Sequence, residues 1–465
     1  MRGSKLWLFL AILTGLLLGH PAWAATNVQF TIVNHSGYPD SQVYIAWLGL
    51  PGYDHVNTYH IADWQNPNDP NYIKMIATAD NTVPVPPGST SYYADYSTTL
   101  DQLNVNAAGR PYFDMPPCPV NSVPTGVFTS RLWISLGSPL YFQVYSSNSY
   151  SQPSPTSASD VNYNTVWDFF EPNTTYNPGP PSTFSVFGDT TNVDYVTMPM
   201  VYELYNGTTQ VGIAGLNHTR KQLYAALGAI PLLRPLISSL RMLAPGHGQS
   251  TDSSQPFYFP SDYFDSYRDY CWTYWTNNTF TFQYDTNTDG SLITWTGQVI
   301  SGVLNLTGMV NGRTETHTIN RPPSQDIFLC NGVFTGVGSG GFLGRDSDLK
   351  NQIGSALNRT VFHLTPYPNG YTAYPWQAYA PPTGSGGNVF YQQNGLTTAQ
   401  YKTNLYSQTL HQQAIGGKIY GFAYDDNANQ SASVTGVATE IRLTINKCKL
   451  TGTVAPQLFE LLMNP

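Results

Sequence analysis

Gln29-Phe30-Thr31-Ile32-Val33-Asn34 alternates polar and apolar side chains without a break. A period of two sends one set of side chains to a buried face and the other toward solvent, so the stretch reads as a half-buried β-strand. Residues 42–47, 131–136 and 140–144 repeat the pattern between turn residues. Many short strands at turn-punctuated spacing predict a mainly β portion, a sandwich or barrel, from residue 28 to about 200. Residues 148–186 are rich in Ser, Pro, Asn and Thr and read as loop around one strand at 167–171.

The middle of the chain reads differently. Pro231 and Pro235 break residues 219–243 into short helices. Ser261 is positioned to cap a helix running toward Trp272, and strands follow at 279–284, 291–299 and 302–310. Residues 346–362 form an amphipathic helical pattern, with Leu349, Ile353, Ala356, Leu357 and Val361 on one face and Asp346 or Ser347 as its cap. Residues 365–395 are Tyr-, Pro- and Gly-rich loop, 402–414 read as helix, and 418–424, 431–437 and 440–445 return to strands. The expected division is a leader at 1–24, a β domain at 25–205, an inserted mixed α/β domain at 206–400, and a return to the β domain at 401–465, with a wide cleft between the two.

Residues 1–24 have the form of a secretory signal. Arg2 and Lys5 precede an apolar run, and Ala22-Trp23-Ala24 offers small residues at a cleavage site. No later stretch is long and apolar enough to span a membrane. Loss of Arg2 and Lys5 would take the net charge from −8 to −10, which argues against nucleic acid and anionic membranes as partners. The expectation is an exported, soluble monomer. Charged residues make up only 10% of the chain and aromatic ones 14%, with 33 Tyr and 10 Trp, a composition suited either to stacking on sugar rings or to aromatic cross-strand pairs. Cys118, Cys271, Cys330 and Cys448 lie far apart without a Cys-x-x-Cys, which argues against zinc. Export makes one or two disulfides the expectation, with three full pairings open. The His residues show no metal-binding spacing, so neither metal nor organic cofactor is expected.

Two carboxylates stand out on apolar β-type segments. Glu171 follows Trp167-Asp168-Phe169-Phe170, where partial burial would keep a carboxyl protonated. Asp194 ends a polar stretch, a setting in which a base stays ionised. Hydrolysis of a glycosidic bond with inversion uses one carboxyl of each kind, about 6.5–9.5 Å apart to admit a water. Asp168 is the fallback acid. It lies three residues from Glu171, so the two face opposite sides of a strand.

Several segments resemble glycoside hydrolase family 64, the β-1,3-glucanases. Residues 405–411 (Leu-Tyr-Ser-Gln-Thr-Leu-His) and 417–426 (Gly-Lys-Ile-Tyr-Gly-Phe-Ala-Tyr-Asp-Asp) match that family's pattern nearly residue for residue, and residues 264–274, 328–332 and 356–359 also fit. The β portion is similar to thaumatin-like proteins at 130–133, 193–200 and 423–426. The resemblance implies a thaumatin-like β-sandwich or barrel with an inserted α/β domain. It further implies an inverting endo-glucanase that cuts β-1,3-glucan, with Glu171 as general acid and Asp194 as general base. Thr191 falls on a substrate-contacting Thr of the family. Asn173 is a further candidate for lining the cleft, and Trp167 and Trp376 for stacking on sugars; Asp425 and Asp426 could also line it, although such residues in a turn after a strand more often hold the turn. Arg131 is expected to pair with a cleft carboxylate, and His411 to be structural. The family has Glu-Phe-Thr where this chain has Glu171-Pro172-Asn173, which leaves open an alternative: a glucan-binding protein of thaumatin-like type that does not hydrolyse.

Overall fold

The computed structural model describes residues 28–51, 60–62, 73–75, 92–115, 127–146, 149–177, 183–336, 344–365, 376 and 389–449. The leader and Cys118 lie outside these. The strands that build the site are, in chain order, β1 (Val28–Asn34), β2 (Val43–Pro51), β3 (Val127–Leu136), β4 (Val166–Asn177), β5 (Thr183–Asp189), β6 (Met200–Asn206), β7 (Val434–Val437) and β8 (Glu440–Ile445). The helices used below are α1 (Asp265–Asn277), α2 (Arg345–Asn358) and α3 (Leu405–Gln413).

Two sheets form the β portion. In one, β8 lies between β6 and β1, antiparallel to the first and parallel to the second. A parallel neighbour needs a long crossover, and here the whole middle of the chain is that crossover. The other sheet runs β7-β5-β4-β3-β2. The sheets face each other through aromatic side chains, with Phe30 of β1 5.8 Å from Phe170 of β4, and Phe170 4.9 Å from Tyr202 of β6. The mainly β reading stands, and the layers form a sandwich.

The middle segment contains a four-stranded antiparallel sheet (Phe280–Thr286, Leu292–Ile300, Val303–Val310 and Arg313–Ile319) with α1 packed on it. Trp275 of α1 meets Phe280 at 4.6 Å. Trp376, expected to stack on sugar, is 4% exposed. Its ring packs against Phe280, Phe282 and Phe362, and its indole N–H donates to the Leu364 carbonyl at 3.1 Å. It is a core residue and offers no face to a ligand.

Several local readings change. Residues 172–177 and 183–186 are strand rather than loop: β4 continues to Asn177 and pairs with β5. Pro172 lacks the N–H that a central strand normally needs. The β4–β3 ladder pairs Phe170 with Leu132 and Asn173 with Thr129 and skips the two residues between, while the Ser130 hydroxyl donates to the Pro172 carbonyl at 3.0 Å. Residues 418–424 form no strand: Tyr420 makes an isolated bridge to Thr191, and a turn begins at 423. Helix α1 starts after Phe264 and α2 after Gly344, neither with a side-chain cap. Asp346 instead pairs with His317 at 2.8 Å and Lys350 at 2.9 Å. Cys271, Cys330 and Cys448 are buried free thiols, so the expected disulfides do not form among the described cysteines.

Candidate active site

Alternation along β4 decides which carboxylate reaches the surface. Asp168, Phe170, Pro172 and Thr174 point into the sandwich and are buried. Trp167, Phe169, Glu171 and Asn173 point to the other face. The first two are covered there by a second apolar cluster that includes Trp133, Phe142, Tyr195 and Leu243. Trp167 is 1% exposed, with Trp133 at 5.6 Å and Tyr195 at 4.9 Å. It packs under this cover and cannot stack on a sugar, contrary to expectation. At Glu171 the cover ends.

Asp168, the fallback acid, is 0% exposed. Its carboxylate accepts from the backbone N–H groups of Phe169, Thr197 and Met198, each at 3.0 Å. Burial pushes its pKa up to about 7 against the pull of those three donors. The residue fastens β4 to the segment that follows Asp194 and has no path to a ligand.

Glu171 stands in an open cleft of about 820 Å³ lined by Arg131, Tyr150, Asn173, Phe187 and Asp189, among others. The β4–β5 register pairs Glu171 with Asp189 and Asn173 with Phe187. Arg131 on β3 donates through Nε to Glu171 Oε1 at 2.6 Å, as expected of it, and its guanidinium lies 4.7 Å from the Phe169 ring centre. The Thr191 hydroxyl bonds Glu171 Oε2 and also lies 3.0 Å from Asp189 Oδ1. Thr191 is therefore bonded to Glu171, and Asn173 lines the same cleft as Glu171.

Asp194 is reached by a bend just beyond Thr191 and is not among the residues lining that cleft. Its side chain is 55% exposed, and Oδ1 meets His247 Nε2 at 2.8 Å. Two short strands hold the bend: Tyr195 and Val196 pair with Leu243 and Met242, and the Ala244 N–H donates to the Asp194 carbonyl at 2.9 Å.

Asp425 and Asp426 part company. Asp426 is exposed and close enough to Asp189 to act on its charge. Asp425 is 0% exposed. It accepts from Arg359 at 2.8 Å, His411 at 3.0 Å, Ser407 at 3.1 Å and the Gly421 N–H at 3.0 Å. It is the centre of a buried knot and does not line the cleft. The knot joins α3 and the residue after α2 to the turn at 420–426. That turn in turn holds the site: the Tyr420 carbonyl accepts from Asn192 N–H at 2.8 Å, and the Tyr406 hydroxyl donates to the Asn192 carbonyl at 2.8 Å.

Sequence reading missed Asp189, His247 and Phe187. Asp189 ends an alternating strand five residues before Asp194, a signal lost when 172–186 were read as loop. His247 is brought to Asp194 only by tertiary folding, and no local pattern marks it. Phe187 is 37% exposed, an aromatic ring beside the acid where Trp167 had been expected.

An open polar cleft on a β-sandwich, with carboxyl groups held at its floor by an arginine and a threonine, is the apparatus of a glycoside hydrolase. The chain belongs to glycoside hydrolase family 64, the β-1,3-glucanases, whose sequence profile matches residues 26–445. No curated protein matches the chain significantly. Among solved structures, a family 64 β-1,3-glucanase domain from Clostridium beijerinckii superposes with a TM-score of 0.66 at 21% identity, over 92% of this chain and 100% of the other. A laminaripentaose-producing β-1,3-glucanase in complex with laminaritetraose gives 0.58 at 21% identity, over 91% and 99%. A laminaripentaose-producing enzyme from Paenibacillus barengoltzii gives 0.53 at 19% identity, over 90% and 75%. At these identities the structures share the fold.

Proposed function

We propose that this β-1,3-glucanase is exported and cuts within its glucan by inversion, releasing short oligosaccharides. Glu171 protonates the glycosidic oxygen, and Asp194 takes a proton from the attacking water. The observation that carries this reading is the placement of Glu171. It is the β4 carboxylate that opens to the cleft, and Arg131 and Thr191 fix its rotamer, as a proton donor requires. His247 bonds the Asp194 carboxyl at 2.8 Å. Asn173, Thr191 and Phe187 would contact the sugars. The laminaritetraose and laminaripentaose named for the relatives point to linear β-1,3-linked glucose as substrate. Export is supported by the basic start, apolar run and small-residue site at 1–24.

The test is hydrolysis of laminarin followed by proton NMR and product sizing. Short products that appear first as the α-anomer are expected. Glu171→Gln and Asp194→Asn should each lose at least about a hundredfold in kcat. Products of β configuration would exclude inversion. Full activity in either variant would remove that residue from its role.

A further inference from the structure

Thr191 stands between two carboxyls. Its hydroxyl is within hydrogen-bond distance of Glu171 Oε2 and of Asp189 Oδ1, the latter at 3.0 Å. A hydroxyl carries one hydrogen, and an ionised carboxylate can only accept. The hydroxyl can donate fully to only one of the two groups, and one further proton in the triad would let it accept from the other. Charge leads to the same count. Arg131 is the cation bonded to Glu171, and among the described residues no cation is bonded to Asp189.

We propose that Asp189 is a positioning residue for the acid: it shares one proton with Glu171 through the Thr191 hydroxyl and reloads Glu171 after each turnover. The inference rests on the reading of Glu171 as general acid. Two arrangements interconvert by a double shift. In one, the Glu171 O–H donates to Thr191 and the Thr191 O–H donates to the Asp189 carboxylate. In the other, the Asp189 O–H donates to Thr191 and the Thr191 O–H donates to the Glu171 carboxylate. The first arrangement is the reactive one. When Glu171 gives its proton to the glycosidic oxygen, both carboxyls are left ionised. Asp189 then takes a proton from water in the cleft, and the double shift returns it to Glu171. Asp194 meanwhile releases to solvent the proton it took from the attacking water.

The surroundings of Asp189 suit it to hold that proton. The residue is 7% exposed. Burial is the chief cause that pushes its pKa up to about 7; the charges of Glu171 and Asp426 add to it, while the Thr191 bond and Arg131 oppose it. Tyr202 and Tyr420 also face it, both with pKa raised by burial and further by Asp189 itself. A carboxyl proton kept to near neutrality is what a shared reservoir needs, and like charges on adjacent carboxyls produce it.

The test is the pH profile of kcat/KM on laminarin for wild type, Asp189→Asn, Thr191→Val, Thr191→Ser and Glu171→Gln. With Asp189→Asn the like charge is gone, and the amide donates to Thr191 permanently. The basic limb should move to lower pH by about one to three units, with most activity retained on the acid side. Thr191→Val should lower kcat across the profile, and Thr191→Ser should restore it. Carbon-13 NMR of the wild-type Asp189 carboxyl should show it holding its proton to near neutrality, a readout that does not depend on how well any variant folds. An unmoved basic limb in Asp189→Asn, a uniform loss at every pH, or an Asp189 carboxyl that loses its proton in the acid range would overturn the sharing. Activity retained in Glu171→Gln would instead overturn the acid itself, so the two failures are separable.

Discussion

Replacing Asp425 with Asn should cost more stability than any other single change of charge in the described residues. The substitution keeps the side chain's size and removes its charge. In the folded protein one carboxylate oxygen accepts from Arg359, and the other accepts from Ser407, His411 and the Gly421 N–H, all within 3.1 Å. An amide must turn its –NH₂ toward one of these sets of donors. Arg359 is itself 3% exposed and would keep a buried charge without its partner. Breaking a buried pair from one side costs about 3–5 kcal/mol, a large part of a typical total of ~5–15 kcal/mol. The pH dependence gives the sign. Burial alone would raise the Asp425 pKa, but His411 and Arg359 outweigh it and hold the folded-state value below the ordinary 3.8. The contribution is therefore complete above the unfolded value near 4 and is lost as pH falls through the lower folded value. Guanidinium unfolding followed by tryptophan fluorescence, on wild type and variant from pH 7 to pH 2.5, measures it. The difference should be full at pH 7 and shrink below about pH 4. A variant within about 1 kcal/mol of wild type at pH 7, or a difference undiminished at the acid end, would refute the reasoning.

Two further outcomes separate packing from binding. Trp167→Ala should destabilise by about 3–5 kcal/mol, because it empties a buried aromatic cluster, while the folded fraction keeps its affinity for laminari-oligosaccharides; calorimetric melting and titration read the two quantities. Phe187→Ala should leave the melting temperature in place and raise KM about fivefold, the loss of roughly 1 kcal/mol of aromatic contact; an unchanged KM would remove Phe187 from the sugar-binding surface.

What was legible in the sequence was local. Parity along 167–171 assigns Glu171 and Asp168 to opposite faces, and the structure keeps that assignment. Parity cannot say what covers a face. Trp167 and Glu171 share one face of β4, yet Tyr195 and Leu243 close over the first and stop short of the second. An aromatic residue four positions from the acid therefore looked like a sugar platform and proved to be core. The loop reading failed at 172–177 and 183–186 because it rested on a composition rich in Ser, Pro, Asn and Thr; Pro172 is tolerated in the strand where the β4–β3 ladder has its gap. His247 reaches Asp194 from 53 positions away, and no periodicity carries such a pairing.

The segments with the nearest family likeness, 405–411 and 417–426, do not carry the proposed chemistry. Ser407, His411, Gly421 and Asp425 from these two stretches meet around one buried carboxylate. Their likeness is one of packing, and their link to catalysis is mechanical. The knot fixes the turn that includes Tyr420, whose carbonyl receives the Asn192 N–H. Thr191 and Asp194 flank Asn192 in sequence, one on the proposed acid's side and one bearing the proposed base. A bend held by hydrogen bonds to its backbone can keep both side chains in position without a helix or long strand of its own. Loosening Asp425 should then degrade kcat as well as stability, since Asn192 would lose the partner that aligns its neighbours.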